Sequence, residues 1–440
     1  MNIKNLLNQH HIKNVTSNLQ DADASTAVFY FVHEGKEDVF KDRLKSSNPG
    51  LLFLNKNIEG VTIPHVVVEN FYDVQTDVCD ALYPNSHKVK IIGVTGTNGK
   101  STCVHLCSEI LNSNGIKSFT VGTLGVMCGE DEILSNPGAT TPSYLDLRRI
   151  TNELSDYEYM CLEVSSHALS QDRLKGFNIE VAGWTNLTQD HLDYHGDMQS
   201  YFEAKKKISE KTNELFVVAS QDNLLKMLDD SKTKYTISKR RSFNVENPAL
   251  NLRYNEENLA LSYDLCCAAT KKELNIPKDI SLPRGRFTSF KNGNDFFVVD
   301  YAHTPDAIEK LAAETREVLK DYMIVTVFGC GGDRDRTKRP LMLKAALENS
   351  DEVIVTSDNP RTEDPQQIIN DIIGGGHENI VSFVDRAQAI NYAVRKYEQK
   401  TVVLIAGKGH EEYQDIAGEK RFFSDIALVE ELVGKLKNEN

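Results

Sequence analysis

A glycine-rich run near residue 100 has the composition of a phosphate-binding loop. Gly93-Val-Thr-Gly96-Thr-Asn-Gly99-Lys100-Ser101 follows the pattern G-x-x-x-x-G-K-[ST], with its first glycine one position early. Glycines let the backbone curl so that successive amides point at phosphate oxygens, and the following helix adds its positive N-terminal end. Lys100 supplies a positive charge to the phosphates, and the Ser101 hydroxyl suits Mg²⁺. The run predicts a nucleoside triphosphate site, against the alternative of a strand-to-helix turn that binds nothing.

Two polar residues further along the chain are candidates for holding the cation that such a nucleotide requires. Glu163 ends a predicted buried strand, where a lone carboxylate is unfavourable unless it meets a cation. His191 follows Asp190 in a polar turn. Together with Ser101 they form a candidate Mg²⁺ site. Each has a simpler alternative, which is a strand-end salt bridge for Glu163 and a helix cap for His191.

The elements that must position these residues are indicated by the hydrophobic pattern. Residues 89–94 are β-branched and apolar, which is typical of a buried parallel strand, and a helical pattern begins at Lys100. Further strands are predicted at 159–164, 181–184, 296–299, 323–328, 352–356 and 401–406, and helical stretches alternate with them. This alternation predicts an α/β fold with parallel sheets, whose ligands lie at the carboxyl ends of the strands.

The length of the chain and its turn-forming segments predict three domains. At roughly 150 residues per domain, 440 residues suggest about three. Short apolar runs separated by polar segments indicate a small α/β domain over residues 1–85, which ends at Tyr83-Pro84-Asn85. The phosphate loop lies in a central domain over 86–283, and a third domain over 284–440 begins near Leu282-Pro283-Arg284-Gly285.

Composition and charge exclude several functional classes. Fifty basic against 64 acidic residues give a net charge of −14, which argues against binding nucleic acid or anionic membranes through the overall field. The chain has no apolar run long enough to span a bilayer, and its N-terminus has no apolar segment of a secretory signal. The eight cysteines contain no C-x-x-C pair, which predicts reduced, mostly buried thiols and no zinc site. We therefore expect a cytoplasmic enzyme without membrane insertion.

The segment Thr95-Gly-Thr-Asn-Gly-Lys-Ser-Thr102 is more particular than a generic phosphate loop and resembles the Mur ligase superfamily. Members of this superfamily are ATP-dependent, amide-forming enzymes, and folylpolyglutamate synthases are among them. The resemblance extends over most of the chain after Val89. The matching segments are Glu163-Val-Ser-Ser-His-Ala-Leu-Ser-Gln-Asp-Arg173, Asn186-Leu-Thr-Gln-Asp-His-Leu-Asp-Tyr-His-Gly-Asp-Met198, Tyr201-Phe-Glu-Ala-Lys205, Asp300-Tyr-Ala-His-Thr-Pro-Asp306, Phe328-Gly-Cys-Gly-Gly-Asp-Arg-Asp335, Asp358-Asn-Pro-Arg361 and Ala406-Gly-Lys-Gly-His-Glu411.

The resemblance implies a three-domain Mur ligase architecture. It consists of a short N-terminal α/β domain for the UDP-sugar, a central P-loop NTPase-like parallel sheet for ATP, and a C-terminal Rossmann-like domain for the amino acid. The segments are most similar to the member that adds the third residue of the peptidoglycan stem. They imply ATP-dependent attachment of meso-2,6-diaminopimelate to UDP-N-acetylmuramoyl-L-alanyl-D-glutamate through an acyl phosphate. ATP as co-substrate, two Mg²⁺ ions and a monomeric enzyme are implied as well.

The resemblance also assigns residues to catalysis and to each substrate. The implied catalytic residues are Lys100, Glu163, His191 and Lys205. Those implied for ATP are Gly96, Thr97, Asn98, Gly99, Lys100, Ser101, Thr102, Asn258, Arg286, Asp300 and His303. Those implied for the UDP-muramoyl dipeptide are Thr140, Thr141, Ser165, Gln171 and Arg173. Those implied for diaminopimelate are Arg334, Asp358, Asn359, Arg361, Gly407 and Glu411.

Lys205 begins the basic run Lys205-Lys206-Lys207, and a solvated helix face is the usual interpretation of such a run. The resemblance implies instead that Lys205 reacts with CO₂ to give N6-carboxylysine, whose carboxylate-like group binds the second Mg²⁺. Carbamylation requires a neutral amine, and therefore a pKa lowered by burial or by other cations. Successive residues point about 100° apart around a helix, so only one of the three lysines needs to face the site.

Arg361, in the segment Asp358-Asn-Pro-Arg361, carries the most information about the incoming amino acid. In the family, this segment accompanies use of diaminopimelate, whereas lysine-using members usually lack the arginine. Diaminopimelate differs from lysine by one extra carboxylate, with which a guanidinium can form two hydrogen bonds. With lysine bound, Arg361 would face an ammonium group and remain unpaired, so the segment predicts selection of diaminopimelate.

Four positions have weaker or competing assignments. In the N-terminal domain, Ser25 and Thr26 lie in a partial match to the segment where the family binds uridine. His167 is interpreted equally well as a structural histidine or as a substrate contact. A surface salt bridge is the alternative to substrate binding for Arg173.

Two other functions compete with this interpretation. One stays within the superfamily and is a folylpolyglutamate synthase or a ligase for another amino acid, against which the segments at 163–167 and 358–361 argue. The other is a nucleotide-dependent binding or regulatory module that has kept the phosphate loop without amide formation. Such a module has no need of metal ligands, Lys205 and an amino-acid pocket together, so their joint presence favours the ligase.

Overall fold

The computed structural model describes residues 2–135, 138–374, 380–396 and 400–439. Within these ranges the chain forms three mainly parallel sheets flanked by helices and a separate hairpin, which confirms the predicted α/β class. We call these the N-terminal, central and C-terminal sheets. The described ranges contain no helix that is both long and apolar enough to cross a bilayer.

The N-terminal sheet has the strand order β1-β2-β3-β4, and all of its pairings are parallel. Phe29 and Phe53 on neighbouring strands stack with ring centroids 4.4 Å apart in its core. The elements are α1 (Ile3–Gln9), β1 (Asn14–Thr16), β2 (Thr26–Tyr30), α2 (Glu37–Leu44), β3 (Leu51–Leu54), β4 (His65–Val67) and α3 (Phe71–Leu82).

The central sheet has the order β12-β11-β10-β5-β9-β6-β7-β8 and is parallel from β12 to β6. Its elements are β5 (Lys90–Thr95), α4 (Lys100–Ser113), β6 (Ser118–Gly122), β7 (Gly125–Cys128), β8 (Asp131–Leu134), α5 (Tyr144–Glu153), β9 (Tyr159–Glu163), α6 (Ser166–Ser170), β10 (Val181–Trp184), α7 (Leu192–His195), α8 (Met198–Lys206), β11 (Leu215–Val218), α9 (Asp222–Asp230), β12 (Thr236–Ser238) and α10 (Arg253–Thr270).

Strand β5 lies between β9 and β10, and this neighbourhood positions the phosphate loop. Val94 pairs with Glu163 of β9, and Thr95 pairs with Trp184 of β10. Because the carboxyl ends of parallel strands meet at one edge of a sheet, the loop that follows Thr95 lies beside Glu163 and beside the turn that begins at Thr185.

The C-terminal sheet has the order β13-β14-β18-β15-β16-β17, with one antiparallel edge strand, β13. Its elements are β13 (Thr288–Asn292), β14 (Asp295–Asp300), α11 (Pro305–Val318), β15 (Met323–Cys330), α12 (Lys338–Asn349), β16 (Glu352–Ser357), α13 (Pro365–Ile373), β17 (Val381–Phe383), α14 (Arg386–Lys396), β18 (Thr401–Ala406), the hairpin β19 (Tyr413–Ile416) and β20 (Glu419–Phe422), and α15 (Asp425–Glu439).

The predicted strands all occur, and most of them differ at one or both ends by one or two residues from the prediction, because the hydrophobic pattern does not report where backbone pairing stops. The strands predicted at 181–184 and 401–406 match β10 and β18 to the residue. Six of the eight cysteines are buried, as the sequence predicts.

A fully buried arginine joins the N-terminal and central sheets. Arg148, on α5, donates to the Tyr144 hydroxyl at 2.6 Å, to Ser86 Oγ at 2.8 Å and to Asp80 Oδ1 at 2.5 Å. It also lies 3.0 Å from Nε2 of His87. Because Asp80 lies on α3 and Tyr144 on α5, this one side chain fixes the packing of the two helices.

We expect Arg148→Ala to lower the midpoint of thermal unfolding by roughly 5 °C or more, since the buried Ser86 hydroxyl loses its donor and the link from α5 to Asp80 on α3 is lost. The measurement is scanning calorimetry. The matched control is Arg149→Ala on the same helix, whose partner Glu153 lies 3.1 Å away at the surface. Exposed pairs of this kind contribute about 0.5 kcal/mol, so the control should leave the midpoint nearly unchanged. Equal midpoints for the two variants would contradict the assigned role of Arg148.

Candidate active site

The phosphate loop packs directly on the end of β10, and two of its positions accept only glycine. Gly96 has φ of 150°, and a Cβ there would lie 1.8 Å from Oγ1 of Thr185. Gly99 has φ of +83°, and its Cβ would lie 2.8 Å from Oδ1 of Asn258. Asn186 accepts from the Asn98 amide at 2.9 Å and thereby anchors the tip of the loop. The loop therefore has a single backbone conformation, and α4 begins where the loop ends.

Two lysine ammonium groups meet at this loop. Lys100 donates to the carbonyls of Gly96 and Thr97 at 3.0 and 2.8 Å, and Lys205 donates to the Gly96 carbonyl at 2.8 Å. Lys205 is 1 % exposed, which makes the solvated-face interpretation wrong for this residue. Burial and the charge of Lys100 hold the pKa of Lys205 well below its usual value. A lysine in these surroundings readily becomes a neutral amine.

The three predicted metal ligands line one cavity next to the loop. The buried carboxylate of Glu163 accepts hydrogen bonds from the amide (2.9 Å) and the hydroxyl (3.3 Å) of Thr123. Both donors are neutral, so these bonds do not form the salt bridge that was the alternative interpretation. Ser101 Oγ accepts from Arg286 at 3.0 Å. A carboxylate, a hydroxyl and an imidazole suit a hard divalent cation, and a cation would compensate the buried charge of Glu163.

His191 adopts a left-handed backbone conformation with φ of 55° at the N-cap position of α7. Within the described residues its side chain makes no capping hydrogen bond, and its Nε2 lies 3.3 Å from Oδ2 of Asp190. Burial, together with the charge of Lys100, lowers the pKa of His191 to about 3. The imidazole is therefore neutral at physiological pH, which is the form that coordinates a metal.

In the part of the chain that the structure describes, no group of three or more His, Cys, Asp or Glu side chains forms a metal-binding cluster. A cation held by Ser101, Glu163 and His191 would therefore need further oxygen ligands from outside these side chains. Phosphate groups supply such ligands in nucleotide sites.

The residues predicted for ATP beyond the loop also line this cavity, and they come from both sides of it. Arg286 lies just before β13, on the side of the cavity opposite the phosphate loop. Its guanidinium lies 4.3 Å from the ring centre of Tyr301. Asp300 accepts from the amides of Phe287 and Ala302 at 2.8 Å each. His303 lies in the same wall, and burial lowers its pKa to about 4.

Several cavity-lining residues were missed by the sequence analysis. They are Val218, Gln221, Tyr254, Glu257 and Lys310. Val218, Gln221 and Lys310 lie in no recognised motif, since they come from β11, the turn after it and α11. Tyr254 and Glu257 belong to the segment 254–258 of α10, in which only Asn258 was predicted as a site residue. Tyr254 lies one helical turn before the predicted Asn258, on the same face of α10. This spacing could have indicated Tyr254 as a residue of the site.

The two sides of the cavity are in direct contact. Nδ2 of Asn98 in the phosphate loop donates to Thr304 and Asp306, at 3.1 and 3.2 Å. Lys338 of α12 donates to the buried Asp190 at 3.3 Å. Burial opposes ionisation of Asp190, but the positive charge of Lys338 holds its pKa below the usual value. The sequence analysis missed Lys338, because a lysine in a helix gives no indication of a partner 148 residues away.

The residues predicted for the UDP-muramoyl dipeptide form a single hydrogen-bonded group beside Glu163. The hydroxyl of Thr141 donates to the Glu163 carbonyl at 2.7 Å, and Ser165 N donates to that hydroxyl at 2.9 Å. Arg173 donates to the Thr141 carbonyl at 2.7 Å and to Gln171 Oε1 at 2.7 Å. Thr140 Oγ1 lies 3.1 Å from Thr123 Oγ1. Within the described part of the chain, Arg173 donates to a carbonyl and an amide oxygen and to no carboxylate.

The residues predicted for diaminopimelate come together in two loops at the carboxyl edge of the C-terminal sheet. A Cβ at Gly407 would lie 2.6 Å from Oδ2 of Asp358, so the two loops touch there. Asn359 donates to Glu411 Oε2 at 2.9 Å. The Arg361 guanidinium donates to the Gly332 carbonyl at 2.6 Å.

Arg334 is the outlying member of this set. It is exposed, and its guanidinium donates to the carbonyl of Asp333 at 3.1 Å. A Cβ placed on Gly331 would lie 2.8 Å from Arg361 Nη1 and 3.8 Å from Arg334 Cγ. The two arginines therefore flank Gly331. Among the described residues, Arg334 makes no hydrogen bond to the carboxylates of Asp358 or Glu411.

Lys408 belongs to the second of these loops and was not predicted as a site residue. It is fully buried, and its ammonium donates to Asn359 Oδ1 at 3.1 Å and to Glu411 Oε2 at 2.9 Å. Because a buried ammonium needs acceptors on all sides, it holds both side chains in fixed positions. Its place between two glycines, in Gly407-Lys-Gly409, is the sequence feature that could have drawn attention to it.

The weaker predictions have mixed outcomes in the structure. Ser25 and Thr26 donate through their hydroxyls to Asp23 at 2.8 Å each, forming a turn at the start of β2. His167 packs against Tyr194 with ring centroids 4.1 Å apart, next to His191. The location of His167 beside the candidate metal ligand is compatible with both of its interpretations.

Comparison with known proteins gives consistent matches. Residues 94–297 match the Mur ligase middle domain, and residues 285–409 match the Mur ligase, glutamate ligase domain. A protein of Geobacillus thermodenitrificans named UDP-N-acetylmuramoyl-L-alanyl-D-glutamate--2,6-diaminopimelate ligase is 37% identical over 414 residues, which cover 84% of each chain.

Solved structures agree with the sequence matches. One of a UDP-N-acetylmuramoyl-L-alanyl-D-glutamate--2,6-diaminopimelate ligase aligns with a TM-score of 0.56 and 29% identity, covering 97% of this chain and 95% of that one. The MurF ligase from Thermotoga maritima in complex with ADP aligns with a TM-score of 0.63 over 97% of this chain and 98% of its own. Its identity is 14%, so this second likeness concerns the fold. Together with the shared motifs, these matches show that the chain belongs to the Mur ligase family, with the α/β architecture of that family.

Proposed function

We propose that the protein uses ATP to attach meso-2,6-diaminopimelate to UDP-N-acetylmuramoyl-L-alanyl-D-glutamate during peptidoglycan precursor synthesis. One observation carries the choice of amino acid. Arg361 and the carboxylate of Asp358 lie in one loop, and the carboxylate of Glu411, in the neighbouring loop, accepts from Asn359 of the first. The far end of diaminopimelate carries both a carboxylate and an ammonium group. A pocket with a guanidinium and two carboxylates complements both of these charges.

The reaction forms an amide in two steps. In the first, an oxygen of the D-glutamyl carboxylate attacks the γ-phosphorus of ATP, and ADP leaves. In the second, the amine of diaminopimelate attacks the acyl carbon and loses a proton, and inorganic phosphate leaves. Phosphorylation provides the leaving group that a free carboxylate lacks, which makes amide formation favourable in water.

Residues of this chain have separable roles in these steps. The amides of residues 96–101 and the ammonium of Lys100 hold the ATP phosphates. Arg286 adds a second positive charge from the opposite wall. The nucleotide-sugar peptide is held by Thr140, Thr141, Ser165, Gln171 and Arg173. Contacts such as Asn98 to Thr304 close the cavity, which excludes water from the acyl phosphate.

Two Mg²⁺ ions belong to this proposal. Ser101, Glu163 and His191 are the proposed ligands, and Lys205 as N6-carboxylysine serves the second ion. Mg²⁺ held by these residues would neutralise phosphate charge and favour attack on the γ-phosphate. The burial of Lys205, 2.8 Å from the Gly96 carbonyl, supports this modification because it keeps the amine beside the phosphate loop.

The remaining parts of the proposal concern organisation. We assign residues 1–85 to a UDP-sugar domain, 86–283 to the ATP domain and 284–440 to the amino-acid domain. The enzyme acts as a monomer in the cytoplasm, where its nucleotide-linked substrate and ATP are available. Its substrates are small molecules, with no nucleic-acid partner.

The first test measures phosphate release by the purified protein. We expect release that requires ATP, Mg²⁺, UDP-muramoyl dipeptide and diaminopimelate together, with lysine and D-glutamate inactive in parallel reactions. The tripeptide product is identified by mass spectrometry. Phosphate release without either amino-acid substrate would indicate a nucleotide-hydrolysing module and would refute the ligase.

The second test is Arg361→Ala. Loss of the guanidinium should raise KM for diaminopimelate by roughly a hundredfold, because a buried charged hydrogen-bonding pair is lost, and should leave KM for ATP within about twofold. The matched control is Arg316→Ala, whose ion pair with Asp351 lies 2.7 Å apart at the opposite edge of the same sheet. An unchanged KM for diaminopimelate in Arg361→Ala would contradict the proposed pocket.

The third test concerns Lys205. In the presence of ¹³C-bicarbonate, the wild type should show a carbamate signal by ¹³C NMR that Lys205→Ala lacks, and the variant should lose activity by roughly a hundredfold or more. Lys206→Ala is the matched control, since Lys206 forms a surface pair with Glu203 at 2.6 Å. Full activity of Lys205→Ala, insensitive to bicarbonate, would exclude the modification as a catalytic requirement.

A further inference from the structure

A buried ion pair lies beneath the two loops of the amino-acid pocket. Arg386 begins α14 and Asp425 begins α15, and both side chains are fully buried. Nε and Nη2 of the guanidinium donate to the two oxygens of Asp425 at 2.8 and 2.6 Å. This is a bidentate pair of opposite charges, whose geometry is fixed because neither group has water as an alternative partner.

The remaining hydrogen bonds of Arg386 go to the ends of two strands. Nη1 donates to the Ser357 carbonyl at 3.2 Å, and Nη2 donates to the Ala406 carbonyl at 3.0 Å. Ser357 is the last residue of β16 and Ala406 the last of β18. The next residues, Asp358 and Gly407, are both proposed to contact the amino acid. One guanidinium therefore holds the points at which both pocket loops begin.

Strands β16 and β18 are not neighbours, since β15 lies between them in the sheet. No hydrogen bond of the strand ladder sets the spacing of their ends directly. Arg386 spans this gap, and a Cβ on Gly407 would lie 3.9 Å from its Nη2 and 2.6 Å from Oδ2 of Asp358. The guanidinium, Gly407 and Asp358 are thus packed against one another, and a shift of Arg386 would move the two loops apart.

Charge complements this geometry. Burial works against the charged guanidinium, but Asp425, Asp358 and Glu411 together raise the pKa of Arg386, so it remains cationic. A lysine at this position would keep the charge but not the planar fork, and could not reach Asp425 and both carbonyls at once.

We propose that Arg386, paired with Asp425, is a positioning residue for the incoming amino acid, and that its guanidinium sets the spacing between the loops 358–361 and 407–411. The inference rests on the proposed diaminopimelate site. It assigns a role in substrate geometry to residues that touch neither the nucleotide nor the reacting atoms.

The test is steady-state kinetics of the full-length enzyme with Arg386→Lys. Misplaced loops should raise KM for diaminopimelate by about tenfold or more, with kcat within roughly threefold and KM for ATP within about twofold. Asp425→Asn, which keeps the guanidinium but loosens its anchor, should shift the same KM in the same direction by a smaller factor. A residue that only stabilised the fold would lower the unfolding midpoint without this selective change in KM.

Arg148→Lys is the matched control, because Arg148 is equally buried and also has four polar partners, at the interface of the N-terminal and central sheets. It should lose thermal stability while its KM for diaminopimelate stays within about twofold of the wild type. The wild type is assayed in parallel, so that failure of the proposed function can be told apart from failure of the role proposed for Arg386. If it shows no diaminopimelate-dependent phosphate release, the proposed function fails.

If the wild type is active, the variants test only the positioning role of Arg386. Unchanged KM for diaminopimelate in folded Arg386→Lys, or equal changes in KM for all three substrates, would overturn the positioning role. Failure of both Arg386→Lys and Asp425→Asn to fold would overturn it as well, since the pair would then determine the fold rather than the pocket.

Discussion

The close packing of Gly96 on Thr185 is the constraint from which the rest of the active site follows. A Cβ at Gly96 would lie 1.8 Å from Thr185 Oγ1, so the phosphate loop can press against the end of β10 only with glycine there. The same hydroxyl donates to the Asn98 carbonyl at 2.6 Å. This fixed backbone determines where Lys100, Ser101 and the N-terminus of α4 lie. Glu163, on the other neighbouring strand, then has a defined position relative to the loop.

Buried cations have a corresponding role in the C-terminal half. Lys408 lies between Asn359 and Glu411, and Arg386 lies beneath the strand ends that precede Asp358 and Gly407. A loop at a sheet edge has few backbone partners and is otherwise the most variable part of a fold. Each buried cation offers several donors in a place without water, so the loop geometry with all of them satisfied is strongly preferred. The side chains of the proposed amino-acid pocket are thereby held in place without a bound ligand.

The overall charge of −14 and the anionic substrates are reconciled by the distribution of charge. Lys100 and Arg286 line the two sides of one cavity, and Lys205 contacts the phosphate loop beside it. Many acidic side chains instead form surface pairs such as Glu203 with Lys206. Over short distances and in partly buried surroundings, the local cations dominate, because screening by solvent weakens the more distant negative charges. The net charge therefore bears on solubility and on nucleic acid, and not on what the cavity binds.

The sequence by itself determined the fold class, the strands that carry the site and the residue types at their ends. Apolar runs of strand length predicted β10 and β18 to the residue, and the glycine-rich run predicted the loop between β5 and α4, because these features are local in the chain. The grouping of Thr141, Ser165 and Arg173 was implied by resemblance to the family, and the structure brings these residues into one hydrogen-bonded group.

Only the tertiary structure decided which charged residues are buried and what they contact. Lys205 and Lys206 are adjacent and chemically identical, yet one is buried at the phosphate loop and the other pairs with Glu203 at the surface. Lys338 meets Asp190 across 148 positions of sequence, and Arg386 meets Asp425 across 39. Such pairs depend on how sheets and helices pack in three dimensions, and packing over long sequence separations leaves no periodic pattern in the chain from which it could be predicted.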